Sequence, residues 1–338
     1  MPRTQLDLFA DLRPAPADAG ASATAGGWPS TLRDGPQLGL YDARGLLLQR
    51  ARDALARGRL DEATHDYAEL HARDPADLVV VREAAFAANI RQHLAAAASA
   101  APEQRPRALL MVADELASAR EDAPAALRRK LLRDAALQAA ADAGDAVELA
   151  GELPGFYLLA AGADEAALTS LTRAAAAGRR ARTLYLLADA TMVLRGPQVA
   201  RPLYFEALLL DPFDHALRAA RCENVRFLPE VAQREFAIED EPAAWCAPVG
   251  VVTDVLPCPP TLADHLRPEA RASLPAAASD HQQACLLRAR RFVQAMVIDA
   301  SLDYVAADAA VIEARRTMRE LAPTLFEAHM QRRAAGTR

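Results

Sequence analysis

Apolar residues recur every three or four positions along most of the chain, which is the spacing of one helix face. Leu47, Ala51 and Ala54 share a face of the first predicted helix. Gly58 separates it from a second helix, which Asp74-Pro75 ends because proline lacks a backbone donor and disfavours helix in the preceding residue. The same spacing returns up to residue 331, so the pattern predicts an all-α protein.

Changes in the pattern divide the chain into four segments. Residues 1–38 include a stretch rich in Ala, Pro, Gly, Asp and Ser, which cannot bury enough apolar surface to offset its ordering entropy, so we expect a flexible tail. Residues 39–227 form the predicted helical body. Residues 228–279 hold many of the prolines and predict an irregular insertion. Residues 280–331 return to helical spacing and predict a C-terminal helical hairpin.

One run inside the insertion differs from the rest of the chain. Gly250–Leu256 reads Gly-Val-Val-Thr-Asp-Val-Leu, and its β-branched residues favour one short extended piece. Cys246 and Cys258 flank this run. We expect buried structural thiols there rather than a redox pair.

Composition supports the helical prediction and limits the partners. Hydrophobic residues make up 52% of the chain but aromatic residues only 5%, because alanine and leucine dominate. Both are strong helix formers. The net charge of −6 disfavours direct binding of nucleic acid, since neutralising phosphates requires a basic surface.

Few features indicate a membrane, a metal or a secretory route. The chain shows no secretory signal and no run of about 18 apolar residues, so we expect a cytoplasmic protein that does not cross a membrane. Cys222, Cys246, Cys258 and Cys285 form no C-x-x-C pair, so no metal site is expected. We expect the acidic run Glu239–Glu241 to be solvated rather than metal-binding.

Known catalytic motifs are missing from the sequence. A P-loop needs Gly-Lys, but the only lysine, Lys130, follows an arginine. There is no H-E-x-x-H and no G-x-S-x-G. His65 and His71 lie six positions apart on one predicted helix and are expected at the surface. These observations predict a protein without catalytic residues or a cofactor.

Two segments, Gly58–Pro75 and Gly196–Pro212, align with each other. Each combines a turn glycine, a small residue, an aromatic residue and a closing Asp-Pro pair, with the two glycines offset by one position. The residues expected to pack the repeats are Gly58, Ala63, Tyr67 and Pro75 in the first segment, and Ala200, Tyr204, Ala207 and Pro212 in the second.

This pattern resembles the tetratricopeptide repeat family. The resemblance implies that Gly58 forms the turn, that Ala63 lies where paired helices touch, and that Tyr67 packs on the next repeat. It also implies a solenoid of stacked helical hairpins, whose concave face usually binds a peptide or a protein. A purely structural array, with the groove filled by the 228–279 insertion, is the alternative.

The resemblance covers roughly a fifth of the chain well, and the helical stretch between the two segments does not follow the pattern. A poorer third unit is predicted to end at Pro323, although Arg315 stands where an aromatic residue is expected. The predicted architecture is therefore a helical-hairpin repeat array with a flexible tail and an irregular proline-rich insertion.

Five residues of the tail, Gln5-Leu6-Asp7-Leu8-Phe9, resemble the peptide by which bacterial polymerases, repair proteins and replication regulators dock on the ring-shaped sliding clamp. The family pattern is Gln-Leu-(Ser or Asp)-Leu-Phe, and all five positions match. The resemblance implies that Leu8 and Phe9 fill the hydrophobic pocket of the clamp. It implies that Gln5 hydrogen-bonds at the rim and Leu6 packs beside it, while Asp7 faces water.

Three readings of the whole chain remain open. The first is a non-enzymatic adaptor, whose tail binds the clamp and whose body binds a second protein. The second is a helical-repeat interaction scaffold unrelated to the clamp, in which the match of the tail is accidental. For the tail alone, the spacing of Leu6, Phe9 and Leu12 offers one helical turn packed on the body as an alternative, which is compatible with clamp binding. The third is an enzyme with an unrecognised site, which predicts a deep pocket near the insertion.

Overall fold

The computed structural model describes residues 36–119, 121–258, 274–301 and 309–336. Within these ranges the chain forms helices and connecting turns but no β-strand. An isolated antiparallel bridge joins Leu149 to Glu152. The prediction of an all-α fold is therefore confirmed for the described part of the chain.

Sixteen α-helices account for most of the described residues, and successive helices pack against each other. Two short 3-10 turns, Leu116–Ser118 and Pro242–Trp245, lie between them. The helices are α1 (Pro36–Ala56), α2 (Leu60–Arg73), α3 (Leu78–Ser99), α4 (Arg105–Glu115), α5 (Asp122–Ala143), α6 (Pro154–Ala160), α7 (Asp164–Ala177), α8 (Ala181–Arg195), α9 (Pro197–Leu210), α10 (Ala216–Ala219), α11 (Glu223–Arg226), α12 (Leu228–Phe236), α13 (Cys246–Val252), α14 (Asp280–Ser301), α15 (Ala309–Leu321) and α16 (Pro323–Gly336).

Helices α1 and α2 form a hairpin. Gly58 joins them with φ +73°, in the left-handed region that glycine enters without a steric penalty. On α2, Ala63 and Tyr67 are completely buried, and both belong to the hydrophobic cluster to which α1 also contributes. The polar face of α2 points to solvent, where His65 and His71 are exposed, as predicted.

Helices α8 and α9 form a second hairpin with the same local design. Gly196 precedes α9 with φ +86°, and α9 is 14 residues long, like α2. Ala200, Tyr204 and Ala207 are completely buried. The two closing prolines differ, since Pro75 is exposed and Pro212 is buried.

The junctions that follow the two hairpins contain equivalent aspartates with equivalent hydrogen bonds. Asp74 and Asp211 leave the helix in an extended conformation, and Asp77 and Asp214 follow three residues later. Each of the four carboxylates accepts a hydrogen bond from the backbone N–H two residues further on, at 3.2, 2.9, 3.0 and 2.9 Å respectively. Short polar side chains of this kind stabilise turns and helix starts.

The hydrophobic core is divided along the chain. One cluster lies among α1–α5 and includes Tyr67, Ile90 and Leu127. A smaller one lies among α5–α8, around Leu158 and Leu171. The largest cluster joins α8 and α9 to the insertion and to the C-terminal helices. Each cluster draws on helices that are consecutive or nearly so, as expected when helical hairpins stack on their neighbours.

The described part of the insertion, 228–258 and 274–279, contains α12, α13 and a 3-10 turn joined by irregular segments, and the predicted extended piece is wrong. Gly250, Val251 and Val252 lie in α13, and the residues after them form a turn. All seven residues of α13 are buried, between α9, α12, α14 and α16. Burial on every side outweighs the modest β preference of valine, which depends on having a sheet to join.

In the C-terminal region, α14 and α15 form a hairpin, and a third described helix, α16, follows it. Helices α14 and α15 pack together as expected, and α16 begins at Pro323, where the poorer repeat was predicted to end. Arg315 replaces the aromatic residue of the pattern and donates to Asp299 on α14, with an Nε–Oδ1 distance of 2.7 Å.

Two glycines allow a test of helix packing. A Cβ atom built on Gly155 in α6 would lie 2.4 Å from Cγ of Leu171 in α7, whereas one built on Gly45 in α1 meets no atom within 4 Å. We expect Gly155→Ala to lower the free energy of unfolding by about 1–3 kcal/mol through overpacking. Gly45→Ala should raise it by up to about 1 kcal/mol, because alanine favours helix. Urea denaturation measures the free energy of unfolding of both variants. An unchanged free energy of unfolding in Gly155→Ala would contradict the close contact between α6 and α7.

Candidate peptide-binding groove

Helices α1, α2, α3 and the start of α5 enclose an open groove with a volume of about 870 Å³. Its floor is apolar and includes Leu55, Tyr67 and Phe86. Its walls carry charged side chains of both signs, from α1, α3 and the connection between α4 and α5. A groove with an apolar floor and a charged rim suits a segment of protein chain.

A hydrogen-bonded network fixes the floor of this groove. Arg52 on α1 donates two hydrogen bonds to Glu83 on α3, with distances of 3.0 Å from Nε to Oε2 and 2.6 Å from Nη2 to Oε1. The hydroxyl of Tyr67 on α2 donates to the same Oε2 at 3.0 Å. Because the paired arginine bonds are directional, the network holds α1, α2 and α3 in one arrangement.

The protonation states in the network follow from burial and pairing. Partial burial opposes ionisation of Glu83, yet the hydrogen bonds from Arg52 and Tyr67 lower the pKa of this carboxyl below its usual range. Burial and the neighbouring Glu83 carboxylate raise the pKa of Tyr67. At neutral pH the network beside this apolar floor therefore contains an ion pair and a neutral phenol.

Exposed charged side chains lie along the rim of the groove. Arg82 and Arg129 line the groove, are exposed, and make no ion pair among the described residues. Glu121 and Asp122 also line the groove and are exposed. A partner segment with both acidic and basic side chains would match this rim, since complementary charges fix register more than they add affinity.

The groove is lined by apolar, polar and charged side chains from the first five helices. No histidine or cysteine is among these lining residues, and the carboxylate nearest the floor, Glu83, is held by Arg52. None of the described residues of the insertion, 228–258 and 274–279, lines the groove.

The structure places the predicted site residues in three different settings. Gln5–Phe9 lie outside the described residues. Tyr67 packs in the core, and its hydroxyl also reaches the groove. Its counterpart Tyr204 instead donates to the buried Asp189 on α8, which also accepts from the backbone N–H of Arg221 at 2.9 Å. The tyrosine of the second hairpin therefore donates to a carboxylate within its own hairpin, whereas the tyrosine of the first hairpin donates to one on the next helix, α3.

A second group of side chains was missed in the sequence. The carboxylate of Asp240, expected to be solvated, lies beside His281 and Cys285, and the ligand atoms of all three are within 4.8 Å of one another. The signal available was the spacing H-x-x-x-C, which places both residues on one face of α14. The two thiols of the insertion are not part of this group; Cys246 is buried and Cys258 is half-buried.

None of the described helices is both long and apolar enough to cross a membrane. Comparison of the chain with protein-family models, with curated proteins and with solved structures gave no match. The geometry of the groove and the pattern of the tail are therefore the observations from which a function can be argued.

Proposed function

We propose that this protein is a non-enzymatic adaptor that docks on the bacterial DNA sliding clamp through Gln5–Phe9 and binds a second protein through its helical body. The observation that carries the proposal is the match of all five residues to the clamp-binding pattern. At this chain's composition, the pattern would arise by chance about once in 2,000 chains of this length. Both partners would be met in the bacterial cytoplasm, at sites of replication or repair.

The energetics of the peptide fit a transient contact. Only Leu8 and Phe9 would bury large apolar side chains, and the backbone of the peptide must be ordered when it binds, which opposes binding. We therefore expect a weak contact, with an affinity in the micromolar range.

The helical body supplies the second half of the proposal. We propose that it is an array of hairpins of the tetratricopeptide kind, supported by the shared turn, small residue, tyrosine and aspartate junction of α1/α2 and α8/α9. The groove between α1, α2, α3 and α5 is the surface that we assign to the second protein, because its floor is apolar and its rim carries charges of both signs.

The spacing between the two surfaces suits an adaptor. Phe9 and the first described helix at Pro36 are separated by residues 10–35, which are rich in Ala, Gly, Pro and Ser. The flexible tail that this composition predicts would span roughly 30 Å on average over this length. Docking of the peptide would therefore leave the groove accessible to a partner.

Binding of the full-length chain to a purified bacterial sliding clamp, followed by surface plasmon resonance, tests the proposal. We expect micromolar binding by the wild type and loss of binding by the double variant Leu8→Ala/Phe9→Ala. Asp7→Ala is the matched control and should bind like the wild type, because that side chain is expected to face water. Circular dichroism should give the same helical signal for all three proteins.

Two outcomes would contradict the clamp assignment. If the wild type does not bind, the chain is better explained as a helical-repeat interaction scaffold unrelated to the clamp, the reading that the groove supports without any help from the tail. If Leu8→Ala/Phe9→Ala binds as well as the wild type, the contact does not involve the peptide and the five-residue match is accidental.

A further inference from the structure

Three potential metal ligands meet where the loop after α12 crosses the first two turns of α14. His281 and Cys285 are four residues apart on α14, so their side chains point the same way. Asp240 comes from the loop, next to Glu241, whose φ of +47° turns the chain sharply at this point. Ser279 and Gln282 fix the start of α14 through reciprocal hydrogen bonds of 3.2 and 3.1 Å.

The separations of the three ligand atoms approach those of a tetrahedral metal site. Zinc–ligand distances of 2.0–2.3 Å imply ligand–ligand separations of roughly 3.3–3.8 Å. Sγ of Cys285 lies 3.4 Å from Oδ2 of Asp240 and 3.9 Å from Nε2 of His281. The remaining separation, 2.5 Å between Oδ1 of Asp240 and Nε2 of His281, is a hydrogen bond that a bound ion would widen by about 1 Å. Both of these side chains are more than half exposed and are free to make that adjustment.

The same three residue types also form nucleophilic triads, but this geometry does not fit one. A triad needs the histidine to face the nucleophile with one ring nitrogen and the carboxylate with the other. Here Nε2 of His281 faces both Asp240 and Cys285. Burial and the Asp240 carboxylate also raise the pKa of Cys285 to about 11, whereas a reactive cysteine needs a lowered pKa.

We propose that Asp240, His281 and Cys285 form a zinc site whose fourth position is open to water. One thiolate, one imidazole and one carboxylate suit zinc better than magnesium or calcium, which prefer oxygen ligands. Zinc binding would release the thiol proton of Cys285 to solvent, because the thiolate is the ligand. The nearby Glu241 adds negative charge to the site, and the nearby Arg288 is the positive group that partly offsets it.

A zinc ion here would link two parts of the chain that are distant in sequence. The loop at Asp240 and the start of α14 at His281 are 41 positions apart, and the ion would join them across the segment that follows α13. Since the ligands come together only in the folded chain, binding of the ion would stabilise the fold. This role is independent of the clamp peptide.

Titration of the chelator-treated, full-length protein with Zn²⁺ and with Co²⁺ tests the site. We expect one equivalent of Zn²⁺ to bind in calorimetry and to raise the melting temperature. Co²⁺ should produce the thiolate-to-cobalt charge-transfer absorption that reports a cysteine ligand. Cys285→Ser and His281→Gln should each weaken Zn²⁺ binding by more than about tenfold. The matched controls, Cys258→Ser and His65→Gln, should bind like the wild type.

Asp240→Asn keeps the test decisive if Cys285→Ser destabilises the core around α14. Asp240 is exposed, so this variant should fold normally by circular dichroism and still lose affinity for Zn²⁺. The proposal is overturned if the wild type binds no Zn²⁺, if the Co²⁺ complex lacks the charge-transfer band, or if folded Asp240→Asn and His281→Gln bind Zn²⁺ as tightly as the wild type.

Discussion

Replacing Asp299 with asparagine is expected to lower the free energy of unfolding by about 3 kcal/mol. Asp299 is completely buried on α14. Its carboxylate accepts from Nε of Arg315 at 2.7 Å and interacts with Nε2 of His329 at 3.1 Å and with Arg333. Asparagine has nearly the same size, but it removes the negative charge and turns an amide N–H₂ toward groups that are themselves donors. The loss would therefore be electrostatic rather than a loss of packing.

Asp254→Asn is the matched control for this substitution. Asp254 also pairs with an arginine of α16, Arg332, but its side chain is 74% exposed. It has a φ of +62°, which asparagine tolerates. We expect a change below about 1 kcal/mol, because solvent screens exposed ion pairs. Asp299 with Arg315, His329 and Arg333 is called the Asp299 cluster. If urea denaturation gives equally small decreases in the free energy of unfolding for both variants, this cluster does not hold α14, α15 and α16 together.

The Asp299 cluster also predicts a dependence of stability on pH. Burial opposes ionisation of Asp299, but hydrogen bonds from His329, Arg333 and Arg315 keep its pKa well below the ordinary value of about 4. A carboxyl whose pKa is depressed by folding stabilises the protein above its unfolded pKa. We expect this contribution to be lost as the pH falls below about 4, and Asp299→Asn to show a smaller acid dependence than the wild type. If the free energies of unfolding of the wild type and of Asp299→Asn fall equally as the pH decreases, Asp299 is not the source of this pH dependence.

The hairpins were predictable because local chemistry determines them. Gly58 and Gly196 permit the turns, the Asp-Pro pairs end α2 and α9, and Tyr67 and Tyr204 mark the buried faces. Residues 250–252 in α13 were not predictable in this way. A run of valines favours a strand when taken alone, and only the surrounding helices α9, α12, α14 and α16 make it a buried helix.

The candidate sites were less predictable than the helices, because their partners are distant in sequence. Tyr67 could be identified as a buried aromatic residue, but nothing local indicated that Arg52 and Glu83, 31 positions apart, would meet its hydroxyl. The zinc ligands show the same limit. The spacing of His281 and Cys285 was visible, whereas the approach of Asp240 depends on how the loop after α12 folds back.

One regularity appears only when the three hairpins are compared. Tyr67, Tyr204 and Arg315 occupy the same position on the second helix of their hairpins, and each donates to a carboxylate: Glu83, Asp189 and Asp299 respectively. Arg315 therefore fills the aromatic position of the pattern with a different donor for the same kind of acceptor. The environments of the three carboxylates differ, and that difference predicts unequal effects of one substitution.

Tyr204→Phe should lower the free energy of unfolding by about 3 kcal/mol, and Tyr67→Phe by about 1 kcal/mol. Removing the Tyr204 hydroxyl leaves the buried Asp189 carboxylate with the backbone N–H of Arg221, and a buried charge with too few donors is costly. Burial already raises the pKa of Asp189, so the loss should shrink in acid as this carboxyl takes up a proton.

Glu83, by contrast, keeps both hydrogen bonds from Arg52 when Tyr67 loses its hydroxyl, and it faces a groove that water can enter. Urea denaturation of the two variants at neutral and acidic pH measures the difference. Equal losses at both pH values would mean that the two tyrosine hydroxyls contribute alike and that the burial of Asp189 is not what distinguishes the second hairpin. A larger loss for Tyr204→Phe that narrows in acid would instead confirm that the burial of Asp189 distinguishes the second hairpin from the first.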